Sequence, residues 1–139
     1  MYEATEDNTD NVGRSSFNFI RGTTTVGQIV TNNTTCSYNS VSDYRLKDVA
    51  GPVVDSGTFI DSLQPKVGTW KSNGSPFVGF LAHEFAEVSP SSVVGEKDAV
   101  DEDGNPIYQS MQAGTAEVIA NLVAETQSLR NRLAALESQ

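Results

Sequence analysis

Ile119, Leu122, Thr126, Leu129, Leu133 and Leu136 follow one another at spacings of 3, 4, 3, 4 and 3 residues. Alternating threes and fours keep one narrow stripe on one side of an α-helix, the a/d seam of a coiled coil, here with one polar member, Thr126. A helix packed only on its own domain shows a wider apolar face. The stripe therefore asks for further copies of itself and casts residues 110–139 as a helix that associates. With Ile119 at a, Glu125 and Arg132 fall at g, and Arg130 and Glu137 at e. Each g residue precedes an opposite charge at e by five, the spacing for ion pairs between parallel helices. Three heptads are too few to hold an oligomer unaided, so the rest of the chain has to contribute.

The start of the chain needs company for a different reason. Residues 1–14 are acidic and polar without apolar periodicity, and read as a frayed end or the start of an excised fragment. From residue 15 to 42 the pattern changes. Phe17 and Phe19 alternate with Ser16 and Asn18, Val26, Ile29 and Val30 follow, and 12 of the 21 residues from Gly22 to Ser42 are Ser, Thr or Asn. Thr and Val favour extended backbone, and no proline occurs before Pro52. This is strand-forming sequence with too little apolar surface for its own core, and an isolated pair of strands is marginal in water. It makes sense when several copies wrap a shared axis, each supplying a thin apolar stripe. The alternative is a disordered linker.

Residues 43–109 look globular. Val49, Val53, Val54, Phe59, Ile60 and Leu63 are dense enough for a core, punctuated by Gly51-Pro52 and Gln64-Pro65. A strand over 66–71, a turn at Asn73-Gly74 and a returning strand over 77–81 form a predicted hairpin. A short helix over 82–88 stops near Pro90. Val93 and Val94 are expected to pair with Ile107 and Tyr108 around the acidic turn 101–106. The fold class is α+β.

Acidic residues outnumber basic ones 18 to 9, giving a formal charge of −9 and a pI near 4.4. Phosphate backbones and anionic lipids repel such a chain, so no nucleic-acid or membrane partner is expected. No apolar run approaches the ~18 residues of a membrane span, and the first residues lack the basic and apolar regions of a signal peptide. A single cysteine, Cys36, excludes an internal disulfide and a Cys-rich zinc site. The one histidine, His83, excludes multi-histidine metal sites. No metal is expected.

Three ordered motifs then point one way. The stretch Thr35-Cys36-Ser37-Tyr38-Asn39-Ser40-Val41-Ser42-Asp43-Tyr44-Arg45-Leu46-Lys47 resembles the opening motif of the C-terminal intramolecular chaperone domain of phage tail spikes and fibres. The core of that motif, Ser-Asp-x-Arg-x-Lys, is matched by Ser42, Asp43, Arg45 and Lys47. A second signature is matched by Gly79-Phe80-Leu81-Ala82-His83-Glu84, and residues 95–109 are also similar to family sequence. Endosialidase spikes, neck appendages and L-shaped tail fibres carry this domain, which belongs with the Ser-Lys self-cleaving peptidases. The resemblance covers about residues 17–137; the segment 110–114 departs from the family's usual helix start.

The resemblance implies a homotrimer that brings three chains into register and helps an upstream triple β-helix of a spike or fibre to fold. It implies autoproteolysis between Ser42 and Asp43, with Ser42 and Lys47 catalytic and Asp43 and Arg45 supporting. Residues 1–42 would then be the end of the β stalk, kept in the virion tail. Residues 43–139 would be the released chaperone, 43–109 globular and 110–139 the coiled-coil helix. The protein would be made in the cytoplasm of a bacterial host. No cofactor is required; there is no phosphate-binding Gly-rich loop, and nucleotide assistance at release is left open.

The chemistry adds conditions. A Ser-Lys pair replaces Ser-His-Asp only if the lysine is neutral when it acts. A free lysine has a pKa near 10.4, so Lys47 needs burial or a nearby positive charge. In an extended strand Arg45 would share a face with Lys47 and supply that charge. Ser42 would then lie on the opposite face, about 16 Å away by strand rise. A turn, or contact between chains, has to bring them together. Attack by Ser42 Oγ on its own carbonyl would close a four-membered ring. Three routes remain: the Ser42 of a neighbouring chain attacks, Lys47 activates water, or Asp43 assists through a six-membered ring. The scissile bond itself comes from the resemblance.

Other candidates are weaker. His83 with Glu84 reads as part of a short structural helix. Residues 101–104 are similar to a calcium loop, but an EF-hand would need an acid at Ala99 and a Glu at Ser110. Asn32, Asn33 and Asn73 stand in glycosylation sequons. Competing functions are a trimerisation cap that stays on the fibre without cutting, and a glycan- or receptor-binding tip. The second has little to work with, since Trp70 is the one sugar platform downstream of the stalk.

Overall fold

The computed structural model describes residues 14–138. It is mixed α+β, with small antiparallel sheets and a long C-terminal helix. The chain divides into two compact units between Ala50 and Gly51, beyond the 42/43 boundary that the resemblance implied. The expected frayed end lies outside the described residues except for Arg14, which begins the first strand.

The first, the sheet unit, is a three-stranded antiparallel meander: β1 (Arg14–Arg21), β2 (Thr24–Thr31) and β3 (Cys36–Ser40), in that order. Gly22 turns the chain between β1 and β2 at a φ of 64°, the left-handed region that a two-residue hairpin turn asks for and glycine enters freely. Asn32 closes the second turn. Its Oδ1 accepts from the backbone N–H and the hydroxyl of both Thr34 and Thr35. Phe17 pairs with Ile29, and Ile29 with Tyr38, so the three side chains share one face. Phe19 lies beside them, paired with Gly27. Gln28 faces the other way and donates to Asn18. Among residues 17–50 not one is buried. The strands are as expected, and among the described residues of this unit none forms a buried core for them.

The second, the helical unit, has α1 (Ser56–Ser62), the hairpin β4 (Lys66–Thr69) and β5 (Pro76–Gly79), and α2 (Ala82–Val88). A 3-10 turn over Pro90–Ser92, the pair β6 (Val93–Val94) and β7 (Ser110–Met111), and α3 (Ala116–Glu137) complete it. The core is small. Phe85 is 2 % exposed and meets Phe80 edge-on at 4.9 Å between centroids. Val118 is the other buried hydrophobic side chain among the described residues.

Beside this core sits a knot of hydroxyls. Ser89, fully buried, hydrogen-bonds Ser92 at 2.6 Å, and Ser92 bonds Thr115 at 2.9 Å. Ser89 and Ser91 both donate to Glu117 Oε2. This tethers the first turn of α3 to the 3-10 turn after α2. Glu84 Oε2 is buried without a hydrogen bond among the described residues, and Lys66 Nζ, 3.2 Å away, answers its charge.

Several expectations change. Helix α1 fell in a stretch read only as core. The first hairpin does not turn at Asn73-Gly74 alone: Asn73 and Gly74 both donate to the Trp70 carbonyl, so a helical turn fills 70–75 and Gly74 ends it at a φ of 74°. Val93 and Val94 pair with Met111 and Ser110 rather than Tyr108 and Ile107. The acidic tip is closed separately by a bridge between Val100 and Pro106. Residues 110–115 are therefore strand and turn, and the helix starts at Ala116, not at 110.

Candidate functional site

The β3 strand delivers Val41 to the site. Its N–H donates to the Val26 carbonyl at 3.3 Å, one step past the end of β3. Ser42 follows, and the chain then turns. Residues Tyr44–Leu46 form a single 3-10 turn, closed by Leu46 N–H to the Asp43 carbonyl and Lys47 N–H to the Tyr44 carbonyl, both at 3.1 Å. The sequence explains the turn: Asp at its N-cap accepts from the backbone N–H two residues on, which an extended chain does not allow. Asp43 Oδ1 accepts Arg45 N–H at 2.8 Å.

The turn shortens the path from residue 42 to 47. Lys47 Nζ reaches Ser42 Oγ at 2.5 Å. The extended geometry, with its ~16 Å separation, is replaced by the turn that the chemistry had required, and the pair forms within one chain. Arg45 does something other than expected. Its Nε donates to Asp43 Oδ1 at 2.9 Å and its terminal nitrogen to Asp43 Oδ2 at 2.8 Å. The strand that would have set Arg45 beside Lys47 is absent, and the guanidinium is matched by a carboxylate. The Arg45 side chain, and then the Arg45 N–H, hold the Asp43 carboxyl below its ordinary value, and Asp43 in turn raises that of Arg45.

Two consequences follow for the chemistry. Both Asp43 oxygens already accept hydrogen bonds, so the carboxylate is poorly placed to assist in cutting its own amide. And Ser42 and Lys47 are both exposed. An ammonium in water donates to the serine; to take a proton it must first lose its own, and desolvation favours that. Nothing in residues 17–50 supplies such burial.

The seam residues belong to the helical unit. The side of α3 that packs within that unit carries Val118 and Asn121, both buried, and Glu125, which accepts from Ser56 Oγ at 3.0 Å. The stripe Ile119, Leu122, Thr126, Leu129, Leu133 and Leu136 is exposed, from 44 % at Leu122 to 66 % at Leu136. So α3 has two faces, one for its own unit and one left over. Glu125, expected at g to meet a neighbouring Arg130, already gives one oxygen to its own chain. Beside the stripe, Ile119 and Leu122 also line an apolar groove of about 540 Å³ with Ile60, Leu63, Pro65 and Phe80.

The remaining candidates resolve simply. His83 is half-buried on α2. Asp101 turns its carboxylate inward on the tip, accepting Asp103 N–H at 3.0 Å and Asn105 N–H at 2.8 Å; Asn105 chiefly holds its carboxyl below the usual range. Among the described residues no group of three His, Cys, Asp or Glu side chains is placed to hold a metal ion. No described helix is long and apolar enough to cross a membrane. Cys36 is exposed. Sequence reasoning missed the Ser89–Ser92–Thr115–Glu117 knot. The signal was the run Ser89-Pro90-Ser91-Ser92, where proline ends a helix and leaves hydroxyls to face inward. Compared with protein-family models, curated proteins and solved structures, the chain matches none.

Proposed function

We propose that this chain is a homotrimeric intramolecular chaperone from the end of a phage tail spike or fibre, and that it cuts itself between Ser42 and Asp43. The observation that carries the reading is the 2.5 Å contact of Lys47 Nζ with Ser42 Oγ. Two side chains five residues apart, both able to serve in a Ser-Lys hydrolase, meet at the bond where the resemblance expects scission. The exposed α3 stripe and the coreless sheet support the trimer, since both leave apolar side chains largely exposed.

In this reading the site is half-built in one chain. Three stalks closing on a common axis take Lys47 out of water, which makes its amine neutral. The amine accepts the proton of Ser42 Oγ, and that oxygen attacks the Ser42 carbonyl of a neighbouring chain. The tetrahedral adduct collapses as the Lys47 ammonium returns the proton to the departing Asp43 nitrogen. Water then hydrolyses the ester, restoring Ser42 and leaving a carboxylate at the end of the stalk. Residues 43–139 depart with a new amino terminus. Upstream spike or fibre domains of the same chain are the folding client. The stalk stays in the virion tail after assembly in the host cytoplasm.

The test is the denaturing intact mass of fresh protein, wild type beside Lys47→Ala. Fragments ending at Ser42 and beginning at Asp43 in the wild type, with the variant whole, uphold the proposal. Two whole chains of full length reject cutting and leave a trimerisation cap, the reading that the exposure of Ser42 and Lys47 favours. Ser42→Ala separates transfer to serine, which it abolishes, from activation of water by Lys47, which survives.

A further inference from the structure

The contact between Lys47 and Ser42 has to be held, because both are exposed and the lysine stem has four rotatable bonds. From the geometry we infer that Asp43 and Arg45 are a clamp: together they fold the backbone that carries Lys47 back onto Ser42, and Arg45 is a positioning residue rather than a source of positive potential. The inference concerns how the dyad is built, and its catalytic consequence rests on the self-cleavage proposed above.

Three donors converge on one carboxylate. Arg45 N–H and Nε both reach Asp43 Oδ1, and the terminal guanidinium nitrogen reaches Oδ2. The backbone bond fixes the start of the 3-10 turn. The two guanidinium bonds fix the Arg45 side chain on the same carboxylate, so it cannot swing toward Lys47 without breaking both. Turn closure by Lys47 N–H then places the lysine. The fork suits arginine alone: lysine offers a point charge and cannot make the bidentate contact. A role through charge makes the opposite demand, since any cation near Lys47 would serve and an anion at residue 43 would work against it.

The two roles separate in a thiol assay that does not need cleavage. In a Cys36→Ser background, Ser42→Cys puts the single thiol of the chain at the dyad, where an adjacent ammonium lowers its pKa and speeds alkylation. Iodoacetamide is the probe, at neutral pH. The clamp predicts that Lys47→Ala slows alkylation, that Arg45→Lys slows it, that Asp43→Ala, which also removes the backbone bond, slows it at least as much, and that Asp43→Ala with Arg45→Ala is no slower than Asp43→Ala alone. Three results overturn the inference: an unchanged rate in Lys47→Ala, an unchanged rate in Arg45→Lys, or a faster rate in Asp43→Ala. All these residues lie in or beside an exposed turn, so the variants keep the packing of the chain.

Cleavage is followed in parallel on chains that retain Ser42. Arg45→Lys is expected to slow it about a hundredfold, the scale of a small misplacement of reacting groups. If the wild type does not cut at all, the proposed function falls while the thiol assay still decides the clamp. If the wild type cuts and Arg45→Lys cuts at the same rate, the clamp falls alone.

Discussion

In the sheet unit Phe17, Ile29 and Tyr38 line up across three strands, and none of them is buried; Tyr38 is 80 % exposed. In the helical unit Phe85 is sealed against Phe80, and a buried hydroxyl knot ties α3 to the turn after α2. Both units have complete local structure: paired strands, closed turns, hydrogen-bonded helices. Only one has an inside. Backbone pairing sets the form of the sheet, but hydrophobic burial is the dominant favourable term in folding, and the sheet gains little of it within its own chain. The two units therefore differ in what they owe to neighbours. The helical unit has a core of its own and leaves the α3 stripe exposed. In the proposed trimer, the sheet would acquire its core from the copies that come together.

Breaking the seam tests this difference most severely. Leu129→Asp with Leu133→Asp puts carboxylates at consecutive d and a positions and leaves the inner face of α3 untouched. Sedimentation should show loss of the oligomer, and circular dichroism should show loss of the β signal while most helix remains. A β signal that survives in a monomer would show that the sheet supports itself. Next in size, Phe85→Ala should cost the helical unit about 3–5 kcal/mol in denaturant unfolding, as for other buried aromatic truncations. Phe17→Ala should cost a monomer far less, because its ring is half in water already. Glu117→Ala removes the carboxylate that accepts from Ser89 and Ser91 and leaves Ser92 as the partner of Ser89, at about 1–3 kcal/mol, read from the same unfolding curves.

The smallest effect is a titration. Arg45 holds the Asp43 carboxyl below its ordinary value, so the contact is complete above the usual carboxylate pKa of about 3.9. It is lost as the pH falls through the lowered value. Carboxyl-carbon NMR should give Asp43 a midpoint below the ordinary one, moving up in Arg45→Ala. An unmoved midpoint would mean that the pair does not form in solution.

The sequence made some of this legible and hid the rest for physical reasons. Period-two alternation at Phe17 and Phe19 and the proline-free Thr-rich run marked the strands, and Ala82–Val88 stood out as a helix between a glycine-bearing strand and Pro90. The heptad spacing identified the exposed face of α3, because a stripe is a property of one helix. It did not reveal the inner face, where Val118 and Asn121 are too few to make a pattern. Helix α1 escaped because Gly57 and Thr58 are poor helix formers, and its place is set by packing against α3, with Ser56 bonded to Glu125. At the site, Ser42 and Lys47 were expected as a pair from the resemblance, but their meeting depended on a 3-10 turn. That turn follows from Asp43 as a cap, a local hydrogen bond that strand spacing does not anticipate. The same bond reassigned Arg45 from a neighbour of Lys47 to a partner of Asp43.

The central claim is that one chain carries the dyad and the assembly completes it. The most direct measurement is the rate of cutting at Ser42–Asp43, by intact mass, across a dilution series that takes the protein from oligomer to monomer, with the Leu129→Asp, Leu133→Asp variant alongside. The account predicts a rate that follows the oligomer fraction and a variant that stays whole. A monomer that cuts as fast as the oligomer would contradict it.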